Sequence, residues 1–416
     1  MTSHPAWVEV DLGALVENAG VLRRAIPAGV RLGLLVKADA YGHGLEMAAR
    51  AGVAAGADQL MVSNLDEGLA IRRAGLDAPV LVVYPIPTED LGEAVEAGLE
   101  LTVSGLDSAR RTLEAWTVAT RVSAGSLVVH VEIDTGMGRG GVGPGDLVDI
   151  IDRIEAAPAT RVAGLWSHVA SAADPTAAAI QRERFDAAVA RVAATGRRLP
   201  ARHLATTDGL FAGTVPPYEL VRIGLGYYGE LGPGLRPAPA LASLAAALRP
   251  AMAVRARPVR VEVLPAGATV GYGQEWTADR PSRIATLPIG YADGWTRAYW
   301  PGASAIVRGR RVPLVGRVSM DSVCADVTDV GEVTAADVHT LLGADGDERV
   351  TAGELARLRG SIPNEVLCDF GPRLPRVYLE APDVVAAVAG RPTTAPGDDS
   401  KMEAGDRPRS RDPEQP

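Results

Sequence analysis

From Trp7 to about Gly229 the chain alternates short runs of aliphatic and β-branched residues with longer stretches rich in Ala, Arg and Glu, whose apolar positions recur at helical spacing. This alternation predicts repeated β/α units built around a parallel sheet. The strand-like runs are Val8 to Leu12, Arg31 to Val36, Gln59 to Ser63, Val80 to Tyr84, Leu99 to Val103, Leu127 to Ile133, Val162 to His168, His203 to Thr206 and Leu220 to Tyr227. Eight parallel strands close a barrel, so nine candidates leave room for one outside it. The predicted fold class is an α/β barrel, TIM-like with the β/α unit repeated eight times, followed by a mostly β C-terminal domain. Chemistry in such barrels sits at the carboxyl ends of the strands, where Lys37, Arg139, His168, Thr207 and Arg222 fall.

After Gly229 the pattern changes. A Pro- and Leu-rich connector, Leu231 to Leu248, precedes the runs Ala253 to Val263, Arg283 to Ile289, Ser304 to Arg308 and Val323 to Val327, separated by Gly and Pro turns with little helix between them. The expected division is residues 1–235 as the barrel, the first strand from the N-terminus included, residues 236–389 as the β-rich domain, and residues 390–416 as a disordered tail. The tail has few apolar residues and many Pro, Gly, Asp, Arg and Ser, too little to bury for order.

Composition narrows the function classes. A hydrophobic content of 47% without an apolar span of membrane length points to a soluble protein. The first residues show no secretory pattern, and a cytoplasmic location is expected. Cys324 and Cys368 make neither a metal cluster nor a disulfide framework and read as small buried hydrophobes. A net charge of −9, without a long basic block, gives no support to nucleic-acid binding.

The most informative residue is Lys37, in Val36-Lys37-Ala38-Asp39-Ala40-Tyr41-Gly42-His43-Gly44 at the end of an apolar run. A strand opening into a Tyr- and Gly-rich loop would partly desolvate the ammonium and favour the nucleophilic amine. A lysine at a strand end is otherwise a solvated rim charge. The nonapeptide resembles the pyridoxal-phosphate (PLP) lysine segment of the alanine racemase family, in which Tyr41 matches a position beside the cofactor phosphate.

Other segments carry the same resemblance. Glu132-Ile133-Asp134-Thr135-Gly136-Met137-Gly138-Arg139 runs from a strand into a glycine-rich turn; alone it is equally a loop with a surface arginine. The family arginine matching Arg139 lies near the cofactor's phenolic oxygen and the substrate carboxylate. Many members carry a carbamylated lysine where this chain has Glu132, whose carboxylate can fill the same electrostatic role with a shorter reach. Thr206-Thr207-Asp208-Gly209 can donate to a phosphate or form an ST-turn, and Thr207 matches a family serine. Val221-Arg222-Ile223-Gly224-Leu225 resembles the segment whose arginine faces the pyridine nitrogen and whose following amides, here Gly224 and Leu225, hold the phosphate. His168 matches a histidine linked to that arginine. An arginine stays charged and only donates, so it leaves the ring nitrogen unprotonated and favours racemisation over transamination.

The second domain holds matches to the remaining parts. Gly271-Tyr272-Gly273 resembles the segment whose tyrosine is the base opposite the lysine, although a phenol with pKa near 10 needs cations nearby for that task. Tyr291 matches a residue lining the substrate passage, and Met320 one closing the substrate pocket. In the family these segments reach the lysine of the other subunit, which implies a head-to-tail homodimer with shared sites. Pro372 stands where many relatives place a tyrosine that touches the phosphate, and proline offers neither hydroxyl nor amide hydrogen.

The resemblance covers roughly residues 5 to 385. It implies a PLP-dependent amino-acid racemase interconverting L- and D-alanine by two bases, Lys37 and Tyr272, without a metal, and supplying D-alanine for peptidoglycan. The alternatives are a racemase of serine or another small amino acid in specialised metabolism, a different PLP barrel enzyme such as a decarboxylase or D-threonine aldolase, and a non-catalytic PLP-binding protein.

Overall fold

The computed structural model describes residues 4–119 and 125–379. Nine strands occupy the N-terminal part: β1 (Ala6–Asp11), β2 (Arg31–Leu35), β3 (Gln59–Val62), β4 (Val80–Val82), β5 (Leu99–Val103), β6 (Leu127–Glu132), β7 (Thr160–Trp166), β8 (Ala201–His203) and β9 (Leu220–Ile223). Strands β2 to β8 lie side by side in chain order, and β9 pairs with β2, all in parallel. The row closes where Thr206 bridges Arg222, with the Arg222 amide donating to Ala205 O at 2.9 Å and the Glu219 amide to Arg202 O at 3.2 Å. Helices cover the outside, so β3, β4 and β9 are buried along their whole length. Burial on both faces is why these strands read as unbroken apolar runs rather than as alternating ones.

The strand from the N-terminus, expected in the barrel domain, belongs to the other sheet. β1 pairs antiparallel with Met252–Ala256 and parallel with Arg376–Leu379. It thereby joins the N-terminal end of the chain to the second domain. The chain then passes directly into the helix Leu12–Ala25, whose first turn is capped by Asp11 accepting from the Ala14 amide at 2.8 Å.

The second domain is a mostly antiparallel sheet in the order Arg260–Leu264, Ser282–Leu287, Val323–Asp326, Arg310–Val315, Ser304–Val307, His339–Asp345, Met252–Ala256, β1 and Arg376–Leu379. The single run expected from Ala253 to Val263 is two strands, because Pro258 interrupts the ladder between them. Residues 380–389 of the expected second domain and the tail 390–416 lie outside the described residues. Among the described residues no helix is long and apolar enough to cross a membrane.

The expected burial of both cysteines is not met. Cys324 is half-buried in its strand, and Cys368 is exposed at the end of the helix Pro363–Cys368.

Candidate active site

The carboxyl ends of the barrel strands surround a cavity of about 250 Å³. Lys37, Tyr41, Arg139, His168, Thr207, Arg222, Gly224 and Leu225 all line it. Eight residues drawn from five separate strand ends therefore meet in one place. Tyr84, Trp166, Asp208 and Asn364 also contribute to the wall, and of these Asp208 lies in the segment 206–209 singled out from the sequence.

The backbone after Lys37 is unusual. Ala38, Asp39, Ala40 and Tyr41 all have φ between 52° and 54°, a left-handed turn made without glycine. That hand costs about 1–2 kcal/mol per residue, so it persists only where surrounding contacts fix it. Here Glu67 accepts from the Ala38 amide at 2.6 Å, and Asp39 accepts from the Leu45 amide at 2.8 Å. Arg376 donates to Gly42 O from Nε at 3.1 Å and from Nη2 at 3.0 Å. The buried His43 donates from Nδ1 to Ala40 O at 2.9 Å and Tyr41 O at 3.0 Å, and its ring stacks on Tyr228.

Lys37 has its pKa lowered, first by burial and then by the positive charge of Arg139. Lys37 Nζ and the Arg139 guanidinium each lie 5.8 Å from the centre of the Tyr84 ring. The shift favours the neutral amine, the form that attacks a carbonyl carbon.

Arg139 is presented by a tied loop. Asp134 Oδ1 accepts from the amides of Gly136 at 2.8 Å and Gly138 at 3.2 Å, while the Val142 amide returns to Glu132 O at 2.8 Å. Gly141 has a φ of 114°, and a Cβ there would stand 2.3 Å from the Asp134 nitrogen, so the return is open only to glycine. Glu132, at the end of β6, is 7% exposed. Burial raises its pKa, and the charges of Arg139 and then Arg222 pull it down. Its carboxylate thus stands in the field of both guanidinium groups.

Arg222 is nearly enclosed. It donates to His203 O and, through Nη2, to Ser167 O at 2.7 Å, and its guanidinium lies 4.8 Å from the Trp166 ring centre. Burial pushes its pKa down to about 9, which leaves it cationic at neutral pH. The histidine it bonds is His203, not His168. His168 forms part of the cavity wall, and burial followed by the charge of Arg222 pushes its pKa down to about 3. A neutral ring beside three cations can orient neighbours without adding to their charge.

At the other end of the cavity Thr207 begins a short helix, and its hydroxyl accepts from the Gly226 amide at 3.2 Å. A Cβ on Gly224 would come 2.6 Å from the Tyr41 hydroxyl oxygen. The donor set of a hydroxyl, a phenol and the first amides of a helical turn suits a phosphate. With an amine of lowered pKa and a fixed guanidinium in the same cavity, these residues fit PLP.

The second-domain candidates are elsewhere. Tyr272 is 67% exposed, Met320 52% and Tyr291 42%, and none lines this cavity. They sit on neighbouring loops: the Tyr272 turn abuts Gly316 and Arg317, and the Ala292 amide donates to Met320 O at 3.0 Å. Pro372 is exposed and also outside the cavity wall.

Comparison with known proteins gives a consistent picture. The family description "Alanine racemase, N-terminal domain" matches residues 10–232, and "Alanine racemase, C-terminal domain" matches residues 251–378. An alanine racemase of Beutenbergia cavernae is 38% identical over 387 residues, covering 92% of this chain and all of that protein. The solved alanine racemase of Streptomyces coelicolor is 34% identical with a TM-score of 0.82, covering 91% of this chain and 98% of that one. The fold also matches that of a Bartonella henselae alanine racemase with covalently bound pyridoxal phosphate, at 24% identity and a TM-score of 0.77, covering 90% of this chain and 100% of that one.

Proposed function

The chain belongs to the alanine racemase family, and on that premise we propose that it interconverts L-alanine and D-alanine with PLP held in the barrel cavity. Bound there, PLP would supply the electron withdrawal that makes the Cα–H of a covalently held amino acid acidic enough to exchange. The observation that carries this reading is the meeting of Lys37, Arg139, Arg222 and the Thr207–Gly224 cradle in one cavity of about 250 Å³.

Lys37 would hold the cofactor, and its amine moves the proton on one face of Cα. Its lowered pKa suits both tasks. Tyr41, Thr207 and the amides of Gly224 and Leu225 bind the phosphate. Arg222 faces the pyridine nitrogen as a charged donor, and His168 orients the groups around it. Arg139 binds the substrate carboxylate, with the Glu132 carboxylate in place of a carbamylated lysine balancing its charge.

Tyr272 serves the opposite face of Cα. Lys37 takes the proton from D-alanine, and Tyr272 takes it from L-alanine. Because Tyr272, Tyr291 and Met320 are exposed and absent from the wall around Lys37, the reading pairs two copies of the chain head to tail, each lending these loops to the other's cavity. We place the reaction in the cytoplasm, where the two free cysteines stay reduced, and assign its product to peptidoglycan synthesis.

A chiral assay of the PLP-loaded protein against a panel of small L-amino acids tests the function. D-alanine should form fastest. A faster conversion of serine would move the assignment to another racemase, and cofactor binding without turnover would remove the enzyme reading.

A further inference from the structure

Behind the cavity a row of polar side chains crosses the barrel interior. Arg222 Nη1 lies 3.3 Å from His203 Nδ1, and His203 Nε2 lies 2.8 Å from His130 Nδ1. His130 Nε2 lies 2.8 Å from Glu100 Oε2, which also accepts from Gln59 Nε2 at 2.7 Å. His130 and His203 have no exposed surface, in a place where barrels usually pack apolar side chains.

The two ends of the row decide where its protons are. A guanidinium has only donors and a carboxylate only acceptors. His203 Nδ1 therefore accepts from Arg222, and the His203 proton sits on Nε2, from which it is donated to His130 Nδ1. The His130 proton in turn sits on its own Nε2 and goes to Glu100. Both imidazoles are neutral, each in a single tautomer, and they join a buried cation to a carboxylate. Burial, with the positive charge of Arg222 beside it, holds His203 well below its ordinary pKa. Burial alone would raise the Glu100 pKa, but the hydrogen bonds from His130 and Gln59 bring it below the usual range.

An independent observation lies on the strand between the two histidines. A Cβ at Gly164 in β7 would stand 2.2 Å from His130 Nδ1 and 2.8 Å from His203 Nε2. Glycine there leaves the space in which β6 and β8 exchange a hydrogen bond across β7. The register between β6 and β7 also shifts at Val129/His130, which brings His130 opposite Gly164.

We infer that Glu100 and His130 are positioning residues: through His203 they fix the Arg222 guanidinium at the cavity and hold His203 in its Nε2–H tautomer. Their effect on turnover rests on the reading that Arg222 faces the pyridine nitrogen, whereas the tautomers do not depend on it. The experiment is nitrogen NMR of the PLP-loaded protein with labelled histidine at neutral pH, assigned by single substitutions, alongside racemisation kinetics. The parent should show His130 and His203 neutral and protonated at Nε2. Glu100→Leu removes the terminal acceptor, so both rings should gain the Nδ1–H form, and kcat should fall about tenfold with KM for alanine within about twofold. Glu100→Gln keeps an acceptor oxygen, and Gln59, whose Oε1 is buried without a partner, can turn its amide to meet it. That variant should restore the tautomers and most of kcat. Gly164→Ala should disturb the same two signals without removing a polar group. Nδ1–H or doubly protonated rings in the parent, or His203 signals and kcat unmoved in a folded Glu100→Leu protein, would overturn the inference. A parent that lacks racemase activity but shows the expected tautomers would count against the proposed function and not against the network.

Discussion

A Cβ on Gly224 would fall 2.6 Å from the hydroxyl oxygen of Tyr41, so the β9 loop and the left-handed turn after Lys37 meet at the wall of the cavity. Gly224→Ala should push Tyr41 off its position and weaken PLP binding about tenfold, equivalent to about 1.4 kcal/mol. Titration of the cofactor-free protein with PLP reads this directly. An unchanged dissociation constant would place the phosphate elsewhere.

The second expectation concerns charge around Lys37. Capture of an aldehyde needs the neutral amine, and the Lys37 pKa is lowered by burial and then by Arg139. In the cofactor-free protein, the pH midpoint for covalent PLP capture should therefore lie below the ordinary lysine value of 10.5. Arg139→Ala removes a positive neighbour, which makes the ammonium easier to keep, so the midpoint should move to higher pH. Borohydride trapping across a pH series measures both. A midpoint that stays put, or moves down, contradicts the coupling.

Acid stability follows from the ring that braces the left-handed turn. Burial pushes the His43 pKa down to about 4, and its Nε2 is buried without a hydrogen-bond partner. An unfolded histidine titrates near 6.5. Folding thus binds fewer protons, and this stabilisation is fully present above pH ~6.5 and diminishes as pH falls toward the folded value. His43→Gln should flatten part of the decline in melting temperature between those limits. An equally steep decline in the variant would show that His43 contributes nothing to it.

Arg222→Glu replaces a donor-only cation with a group that can share a proton with the pyridine nitrogen. Racemisation should slow, and the share of turnovers ending in transamination should rise. Pyruvate released per racemisation event measures that share. No change in either quantity would remove Arg222 from the ring nitrogen.

Much of the barrel and its mouth was legible because strand runs and chemistry-bearing side chains coincide locally: Lys37, Arg139 and Thr207 each follow a strand-like run, and Arg222 lies within one. What was not legible depends on distant contacts. The sequence of β1 cannot tell which sheet it joins, since its partners lie some 240 and 370 positions away. Ala38-Asp39-Ala40-Tyr41 reads as part of a loop with nothing local to set its hand, and contacts from Glu67, His43 and Arg376 hold it left-handed. His168 and His203 both sit at strand ends, and the sequence offers no measure of which one reaches Arg222. Tyr84 and Asn364 become site residues only when the chain brings their loops to the cavity.

The most direct test of the whole account is complementation between Lys37→Ala and Tyr272→Ala. Each variant alone should be nearly inactive, because each removes one base from every site. Dissociated, mixed and re-paired at equal amounts, half the dimers should be hybrids with one intact site in two, restoring about a quarter of parental activity. In Tyr272→Ala alone, the Cα proton of D-alanine should still exchange with solvent through Lys37, while that of L-alanine should not. Hybrids that form without recovering activity, or equal exchange from both enantiomers, would contradict a site built from Lys37 of one copy and Tyr272 of the other.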